Sequence, residues 1–380
     1  MSEFSIITQY FSSLGAGKNV LLSVGDDAAA LRVDEGCELI VSTDTSTVGV
    51  HFPDDLFPED IAYKSVAAAA SDLAAMGASP LGMTLAISLP EHDALWLHGF
   101  SQGLADASSD FELPLVGGDT TRGLLSITVT VMGQCAIGQK LLRSGASAGE
   151  LLCVSGTLGD SAFGLSMLQG KERGLDIEFE DQEYLLSRFS RPVSRISLGE
   201  DLLGQATSCV DVSDGLLADA ARIADASGCK LVIDSAKLPL SGALVASIGR
   251  ERALELAAAG GEDFELLFSL PESSSLPDGC TIIGVVEAGE AEQHLQAQVL
   301  PRARQRRLAR RGVRRQRRAS VLQKEGARGR QHLRGLCQVR IGHPRHQGGE
   351  LQELVESAAG GVLEQGGGDR REEGRRLHGA

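Results

Sequence analysis

The chain has few aromatic residues and lacks the sequence features of a membrane protein or a disulfide-bonded protein. Phe, Trp and Tyr make up 4% of the 380 residues, with one Trp and three Tyr. No apolar run reaches the roughly 18 residues that a membrane-spanning helix needs, and no basic cluster precedes the first apolar residues as in a secretory signal. The seven cysteines form no CxxC pair and are scattered among apolar residues, which is typical of buried, reduced thiols. We therefore expect a cytoplasmic protein without a membrane segment.

A P-loop is also missing. The nearest candidate is GAGK at 15–18, but Ser12 stands where GxxxxGK has its first Gly, and Asn19 replaces the Ser or Thr that should follow the lysine. No kinase-type glycine-rich loop with a downstream HRD is present either. A phosphate-binding site in this chain must therefore be built from another arrangement of residues.

The net charge is unevenly distributed. The whole chain carries a formal charge of −15, which argues against general binding to nucleic acids or anionic membranes. Residues 1–290 contain 16 basic and 42 acidic side chains, whereas residues 291–380 contain 20 basic and 9 acidic ones. The second segment has no aromatic residue, and 19 of its basic residues are Arg. These two compositions indicate two different kinds of sequence.

Residues 1–290 alternate between strand patterns and helix patterns. A helix is predicted over 58–76, with Pro58 at its start and Gly77 at its end. This helix is rich in Ala, so another element should pack closely against it. Residues 126–132 alternate apolar and hydroxyl side chains, which predicts a strand with one buried face.

A turn-rich segment at 143–150 divides this alternation into two halves. The last strand pattern lies at 281–286, and no period of two or 3.6 persists after Glu290. We therefore predict a two-domain α/β (α+β) fold. Its parts are an N-terminal domain at 1–140, a C-terminal α/β domain at 141–290, and an irregular Arg-rich tail at 291–380.

Short acidic segments recur beside Gly, Ser or Thr at predicted strand ends and helix starts. They are GDD (25–27), STD (42–44), SD (71–72), GGDTTRG (117–123), DVSDG (211–215) and GGED (260–263). A single Asp of this kind is typical of a helix cap or a turn. If the strands are adjacent, however, the segments would gather their carboxylates at one rim, where like charges repel and require cations. Hard oxygen ligands select Mg²⁺ or Mn²⁺, so the pattern predicts a metal-dependent polyphosphate site.

At these residues the sequence resembles the thiamine-monophosphate kinase family, within the superfamily typified by aminoimidazole ribonucleotide synthetase. The motifs that carry the resemblance are GDDAA (25–29), STDT (42–45), AYKSVAAAASDLAAMGASP (62–80), GGDTTRG (117–123), RSGASAGE (143–150), GTLGDSAFGL (156–165), RP (191–192), DVSDGL (211–216) and GGEDFEL (260–266). The resemblance implies a two-domain fold that forms a homodimer through its N-terminal domain, with the nucleotide near the subunit junction.

The resemblance also implies a set of site residues. Metal ligands would be Asp27, Ser42, Thr43, Asp44, Asp72, Asp119, Asp211 and Asp214. ATP contacts would be Gly118, Asp119, Arg143 and Ser213, and contacts with thiamine monophosphate would be His51 and Glu262. Asp26 is interpreted as a turn residue, and Asp263 is left without a role.

The implied reaction transfers the γ-phosphoryl group of ATP to thiamine monophosphate, with several Mg²⁺ ions as cofactors. Because a phosphate monoester is already ionised near neutral pH, no strong general base is required. Catalysis should consist of positioning and charge neutralisation. The residues assigned to it are Asp72, Asp119, Arg143 and Asp211, and Arg122 or Lys64 could add positive charge.

The Arg-rich tail departs from the family. No aromatic residue is present there to stack on a thiamine ring. Its composition is what translation of a GC-rich gene in the wrong frame would produce, so we hypothesise a frameshift after about residue 290. The alternative is a disordered arm at 301–318 that binds RNA or DNA through phosphates.

Two alternatives to the kinase function remain open at this point. One is another ATP-using enzyme of the superfamily, such as aminoimidazole ribonucleotide synthetase or selenophosphate synthetase. The latter usually needs a reactive Cys near its N-terminal loop, and the first Cys here is Cys37, just before STDT. The other is a protein that binds nucleotide and metal but has lost turnover through its altered C-terminus.

Overall fold

The computed structural model describes residues 3–296, which form two large β-sheets with helices packed on them and one small two-stranded sheet. The chain starts with a short helix, α1 (Glu3–Ile6), which continues through a π-helical turn at Ile7–Phe11 and a 3₁₀ turn at Ser12–Leu14. Two short strands, β1 (Val20–Leu22) and β2 (Ala30–Leu31), then pair antiparallel.

The first sheet has four strands in the order β3-β6-β4-β5. The strands are β3 (Cys37–Thr47), β4 (Ser79–Leu89), β5 (Leu115–Arg122) and β6 (Ser126–Ala136). β6 pairs antiparallel with β3 and β4, and β4 pairs parallel with β5. The alternation predicted for β6 is confirmed, because Ile127, Val129 and Val131 are buried on one face.

Two helices cover this buried face: α2 (Pro58–Met76) and α3 (Ala94–Asp110). The predicted bounds of α2 are confirmed, with Pro58 in its first turn and Gly77 at a φ of 65° ending it. Asp93 caps α3 by accepting hydrogen bonds from the backbone N–H groups of Leu95 and Trp96.

The second sheet has six strands in the order β12-β9-β11-β7-β10-β8. The strands are β7 (Leu151–Ser155), β8 (Ser208–Val212), β9 (Lys230–Asp234), β10 (Glu265–Leu270), β11 (Cys280–Glu287) and β12 (Glu292–Gln296). β12 pairs parallel with β9, and the other neighbours pair antiparallel.

β12 lies past Glu290, where no periodicity predicts a strand. Its sequence, EQHLQ, has one apolar residue, and it forms an edge of the sheet through backbone pairing with β9. An edge strand that is held by backbone hydrogen bonds does not require alternating apolar residues. The hydrophobic periodicity of the sequence therefore ends before β12.

Five helices accompany the second sheet. They are α4 (Asp160–Leu168), α5 (Phe179–Ser190), α6 (Ile196–Asp201), α7 (Leu216–Ser227) and α8 (Gly242–Ala259). Helix α7 follows β8 and the DVSDG loop and ends at Gly228, which has a φ of 63°.

The Ala-rich sequence of α2 is explained by close packing on several sides. The side chains of Ile61 to Ser71 are all buried, and the helix contacts the first sheet, α3, α6 and β8. A Cβ atom on Gly199 of α6 would lie 2.0 Å from the carbonyl oxygen of Ala74, and one on Gly103 of α3 would lie 1.9 Å from that of Glu59. The small residues therefore let α3 and α6 pack directly against the backbone of α2.

Four cysteines, Cys135, Cys153, Cys209 and Cys229, are buried, and no disulfide joins cysteines of the described chain. This confirms the expectation of buried thiols for those four. No helix among residues 3–296 is long and apolar enough to cross a membrane. Cys337, the proposed frameshift product and the proposed nucleic-acid arm at 301–318 lie outside the described residues.

We predict that Gly199→Ala destabilises the protein by about 2 kcal/mol or more, because the added methyl group meets the backbone of α2. Gly242→Ala is the matched control, since nothing lies within 4 Å of a Cβ atom there. The control should change the free energy of unfolding by less than about 0.5 kcal/mol. Urea denaturation measures both variants, and equal stabilities would contradict the tight packing of α6 on α2.

Candidate functional site

The two faces of the first sheet separate the predicted site residues of β3. Ser42 and Asp44 pair with Val131 and Val129 of β6 and therefore share the face that α2 covers. Thr43 lies on the opposite face, where its Oγ1 is 2.9 Å from that of Thr130. The predicted metal ligands of the STDT motif thus point to both sides of the sheet.

A chain of polar contacts connects β3 to the second sheet across α2. The Ser42 hydroxyl donates to Oδ2 of Asp72 on α2 at 2.5 Å. The neighbouring Ser71 hydroxyl donates to Oδ2 of Asp211 on β8 at 3.1 Å. Burial raises the pKa of Asp211 to about 6, and the negative charge of Asp72 adds to the rise. Two predicted ligands, Asp72 and Asp211, are therefore close enough to repel each other.

Asp44 belongs to the same group of carboxylates. Burial raises its pKa, and the negative charges of Asp72 and Glu262 contribute to the rise, whereas His51 lowers it. The ring of His51 is fixed because its Nδ1 accepts a hydrogen bond from the Thr47 backbone N–H at 3.1 Å. The structure thus brings the two residues predicted to contact thiamine monophosphate, His51 and Glu262, close to the predicted metal ligands Asp44 and Asp72.

The GGED loop presents Glu262 from the second sheet. Glu262 has a φ of 71°, which is uncommon for a residue with a side chain. Its backbone N–H donates to the Ser213 carbonyl oxygen at 2.8 Å. Its carboxylate forms an ion pair with Lys64 of α2, with 2.8 Å between Oε2 and Nζ. Because Lys64 forms this ion pair, it is not the additional free cation that the sequence analysis considered.

Asp219 and Arg222, which the sequence analysis missed, organise the DVSDG loop. The backbone N–H groups of Ser213 and Asp214 both donate to Oδ2 of Asp219 at 3.0 Å. Arg222 pairs with Asp219 at 2.9 Å and also contacts the exposed carboxylate of Asp214. An Asp in the first turn of a helix, three residues before an Arg, is the sequence signal that could have identified this pair.

Four further predicted residues are exposed at the surface. Asp27 and Gly118 are exposed, and Asp119 is exposed on the face of the sheet opposite α2. Arg143 is exposed as well, although its positive charge lowers the pKa of Asp211. Within residues 3–296, no three His, Cys, Asp or Glu side chains are close enough to hold a metal ion. The single acidic rim expected from the sequence is therefore not formed among these residues.

Asp263, which the sequence analysis left without a role, supports the backbone of the Gly-rich turn before α4. Its carboxylate accepts hydrogen bonds from the N–H groups of Gly159 at 2.8 Å and Ser161 at 3.3 Å. Burial raises its pKa to about 7. The next acidic residue, Glu265, is buried and pairs with Arg188 and Arg195. The carboxylates after Glu262 thus stabilise the fold beneath the site.

Comparisons with known proteins identify the family of this chain. The family described as AIR synthase related protein, N-terminal domain, matches residues 25–135, and its C-terminal counterpart matches residues 147–295. Thiamine-monophosphate kinase of Escherichia coli strain K12 is 46% identical over 271 residues, which cover 71% of this chain and 83% of that protein. The chain belongs to the thiamine-monophosphate kinase family.

Solved structures of thiamine-monophosphate kinases share the fold. The enzyme from Stenotrophomonas maltophilia K279a is 40% identical with a TM-score of 0.69, over 73% of this chain and 92% of that one. A structure described as AaThiL complexed with AMPPCP and TMP is 33% identical with a TM-score of 0.64, over 72% of this chain and 88% of that one. The expected two-domain α/β fold of the thiamine-monophosphate kinase family is confirmed. The match of the second domain reaches residue 295, within β12.

We predict that Asp263 makes the stability of this thiamine-monophosphate kinase decrease between about pH 4 and pH 7. Its pKa is 3.8 in an ordinary setting and about 7 in the fold, so the folded chain binds more protons over that range. The free energy of unfolding then falls by up to about 1.4 kcal/mol per pH unit as the pH rises. Asp263→Asn should flatten this slope in urea denaturation at pH 5 and pH 7.

The exposed Asp278→Asn substitution is the matched control and should leave the slope as in the wild type. Parallel pH profiles for wild type and Asp263→Asn would show that Asp263 does not titrate in this window.

Proposed function

We propose that this chain catalyses ATP-dependent phosphorylation of thiamine monophosphate to thiamine diphosphate. The observation that carries the proposal is that Asp72 of α2 and Asp211 of β8 lie where the two sheets meet, each accepting a hydrogen bond from a serine hydroxyl of the neighbouring element. A relative of the same fold binds AMPPCP, an ATP analogue, together with TMP. The 46% identity to a curated kinase supports the same reaction.

The donor chemistry fits Mg²⁺. Asp44, Asp72 and Asp211 offer carboxylate oxygens, and Ser42 adds a hydroxyl, all of them hard ligands. The raised pKa values of Asp44 and Asp211 mark carboxylates that a nearby divalent cation would stabilise. When bound, Mg²⁺ would neutralise charge on the two phosphate groups that react. Asp27, Thr43, Asp119 and Asp214 remain proposed ligands on the family resemblance.

The remaining side chains bind and orient the substrates. Arg143 and the backbone around Gly118 and Ser213 would contact ATP, while His51 and Glu262 would contact thiamine monophosphate. Because the acceptor phosphate is already ionised near pH 7, the protein needs to hold two like-charged groups in line and does not need to remove a proton.

Product analysis tests the proposed function directly. The purified chain, incubated with ATP and Mg²⁺, should form ADP and thiamine diphosphate only when thiamine monophosphate is added. ADP formation that ignores thiamine monophosphate would contradict the proposal. Stabilisation by Mg²⁺ and ATP without turnover would favour the second candidate, a nucleotide-binding protein impaired by the absence of aromatic residues after 290.

Asp72→Asn and Asp119→Asn should each lower turnover by about 100-fold or more, because each removes a negative charge proposed to bind Mg²⁺. The fold should persist, since neither carboxylate is fully buried. Asp225→Asn, at an exposed position of α7, is the matched control and should keep wild-type turnover. Steady-state rates at saturating Mg²⁺ measure the effect, and wild-type rates would exclude the ligand roles.

We further propose that the N-terminal domain, 1–140, binds ATP and metal and forms a homodimer, while 141–290 form the C-terminal domain of a cytoplasmic enzyme. The face of the first sheet opposite α2 supports the homodimer. There Leu39 and Val41 are exposed beside a ladder in which Thr45 and Thr128 are 2.9 Å apart. An apolar and hydroxyl-lined sheet face on one chain is complementary to the same face on a second copy.

Val41→Glu should shift the protein from dimer to monomer, because it would place two carboxylates in the proposed interface. Leu276→Glu, at an exposed position before Asp278, is the matched control and should remain dimeric. Size-exclusion chromatography with light scattering gives the mass of each. A monomeric wild type, or a dimeric Val41→Glu, would contradict this interface.

A further inference from the structure

Lys64 is a buried cation at the junction of the two sheets. Its side chain is 4% exposed, although it lies in the middle of α2 among Ala and Val residues. Its Nζ donates to Glu262 Oε2 at 2.8 Å and to the Phe189 carbonyl oxygen at 3.2 Å. The same Nζ lies 4.0 Å from the ring centroid of Phe189 and 5.1 Å from that of Phe264.

Burying a lysine is costly, and the contacts of Lys64 compensate for that cost. A desolvated ammonium needs a counterion, hydrogen-bond acceptors or aromatic faces to replace water. Lys64 has one carboxylate, one carbonyl oxygen and two aromatic rings, which together satisfy a single charge. The position of the ammonium group is therefore defined by two hydrogen bonds and two aromatic rings within the protein.

Glu262 is less constrained than its partner. About a third of its side chain is exposed, and it extends from a loop in which Glu262 and Phe264 both have positive φ values. The loop is pressed against the DVSDG loop, because a Cβ atom on Gly261 would lie 2.6 Å from the Ser213 carbonyl oxygen. Backbone contacts hold the loop in place, but the contact that holds the Glu262 carboxylate comes from Lys64 of another element.

We propose that Lys64 is a positioning residue, which orients the Glu262 carboxylate toward the organic part of thiamine monophosphate. This inference rests on the proposed function and on the substrate contact assigned to Glu262. Lys64 fixes Oε2 from the buried side, so the partly exposed remainder of the carboxylate faces the site as a hydrogen-bond acceptor. The ion pair also couples α2, which carries the metal ligand Asp72, to the loop that carries the substrate contact.

Lys64→Met tests the role, because Met keeps the length and apolar stem of the side chain and removes the ammonium. We expect the KM for thiamine monophosphate to rise about tenfold, the loss of one oriented hydrogen bond. The KM for ATP and kcat should stay within about twofold. Lys230→Met is the matched control, since Lys230 also pairs with a carboxylate, Glu287, at 2.8 Å. It should change none of the three constants.

Glu262→Gln and the double variant separate positioning from a merely structural role. If Lys64 acts through Glu262, then Lys64→Met should have no further effect on the KM for thiamine monophosphate in the Glu262→Gln background. A structural bridge would instead change the ATP and thiamine monophosphate constants together with the thermal midpoint. Additive effects of the two substitutions on the KM for thiamine monophosphate would overturn the proposal.

Calorimetric binding of thiamine monophosphate in the presence of AMPPCP and Mg²⁺ gives the same comparison without turnover. A Kd unchanged by Lys64→Met, in a wild type that makes thiamine diphosphate, would overturn this inference alone. A wild type that binds thiamine monophosphate with Lys64-dependent affinity but makes no thiamine diphosphate would overturn the proposed catalysis and leave the positioning role supported. A wild type that neither binds nor converts it would overturn both.

Discussion

The close packing of α2 between the two sheets is the constraint on which the rest of the structure depends. Gly103 of α3 and Gly199 of α6 lie directly against the backbone of α2, where a larger side chain would clash with a carbonyl oxygen. A helix buried on all sides has no free polar face. Three of the polar residues it carries, Lys64, Ser71 and Asp72, find partners on neighbouring elements at the site.

The site contains buried carboxylates, an arrangement that would not be favoured if the stability of the fold were the only constraint. Asp211 is buried beside Asp72, and its raised pKa reports an unfavourable setting for a carboxylate. Asp219 is also buried, and its pKa is raised to about 7, mainly by burial, although Arg222 is its partner. Carboxylates in such settings are stabilised by nearby cations, which is the basis of the Mg²⁺ site proposed for this chain.

Much of the fold could be predicted because the relevant signals are local. Pro58 and Gly77 mark the ends of α2, and a period of two identifies β6, since both depend on neighbours in sequence. Two features could not be predicted this way. β12 is paired through its backbone at a sheet edge, which leaves no hydrophobic pattern. Asp263 and Glu262 are neighbours in the same acidic motif, so the local sequence does not distinguish them. Asp263 supports a buried turn, whereas Glu262 reaches the site.

The sequence by itself determined the family, the bounds of α2, the alternation of β6 and the list of acidic residues, because motifs and periodicity are properties of neighbouring residues. Only the tertiary structure decided which of those residues meet. Alternation along β3 separates Asp44 from Thr43, so the expected single rim is divided between two faces of one sheet. The pairing of Lys64 with Glu262 joins positions almost two hundred residues apart, and only the packing of α2 against the second sheet brings them together.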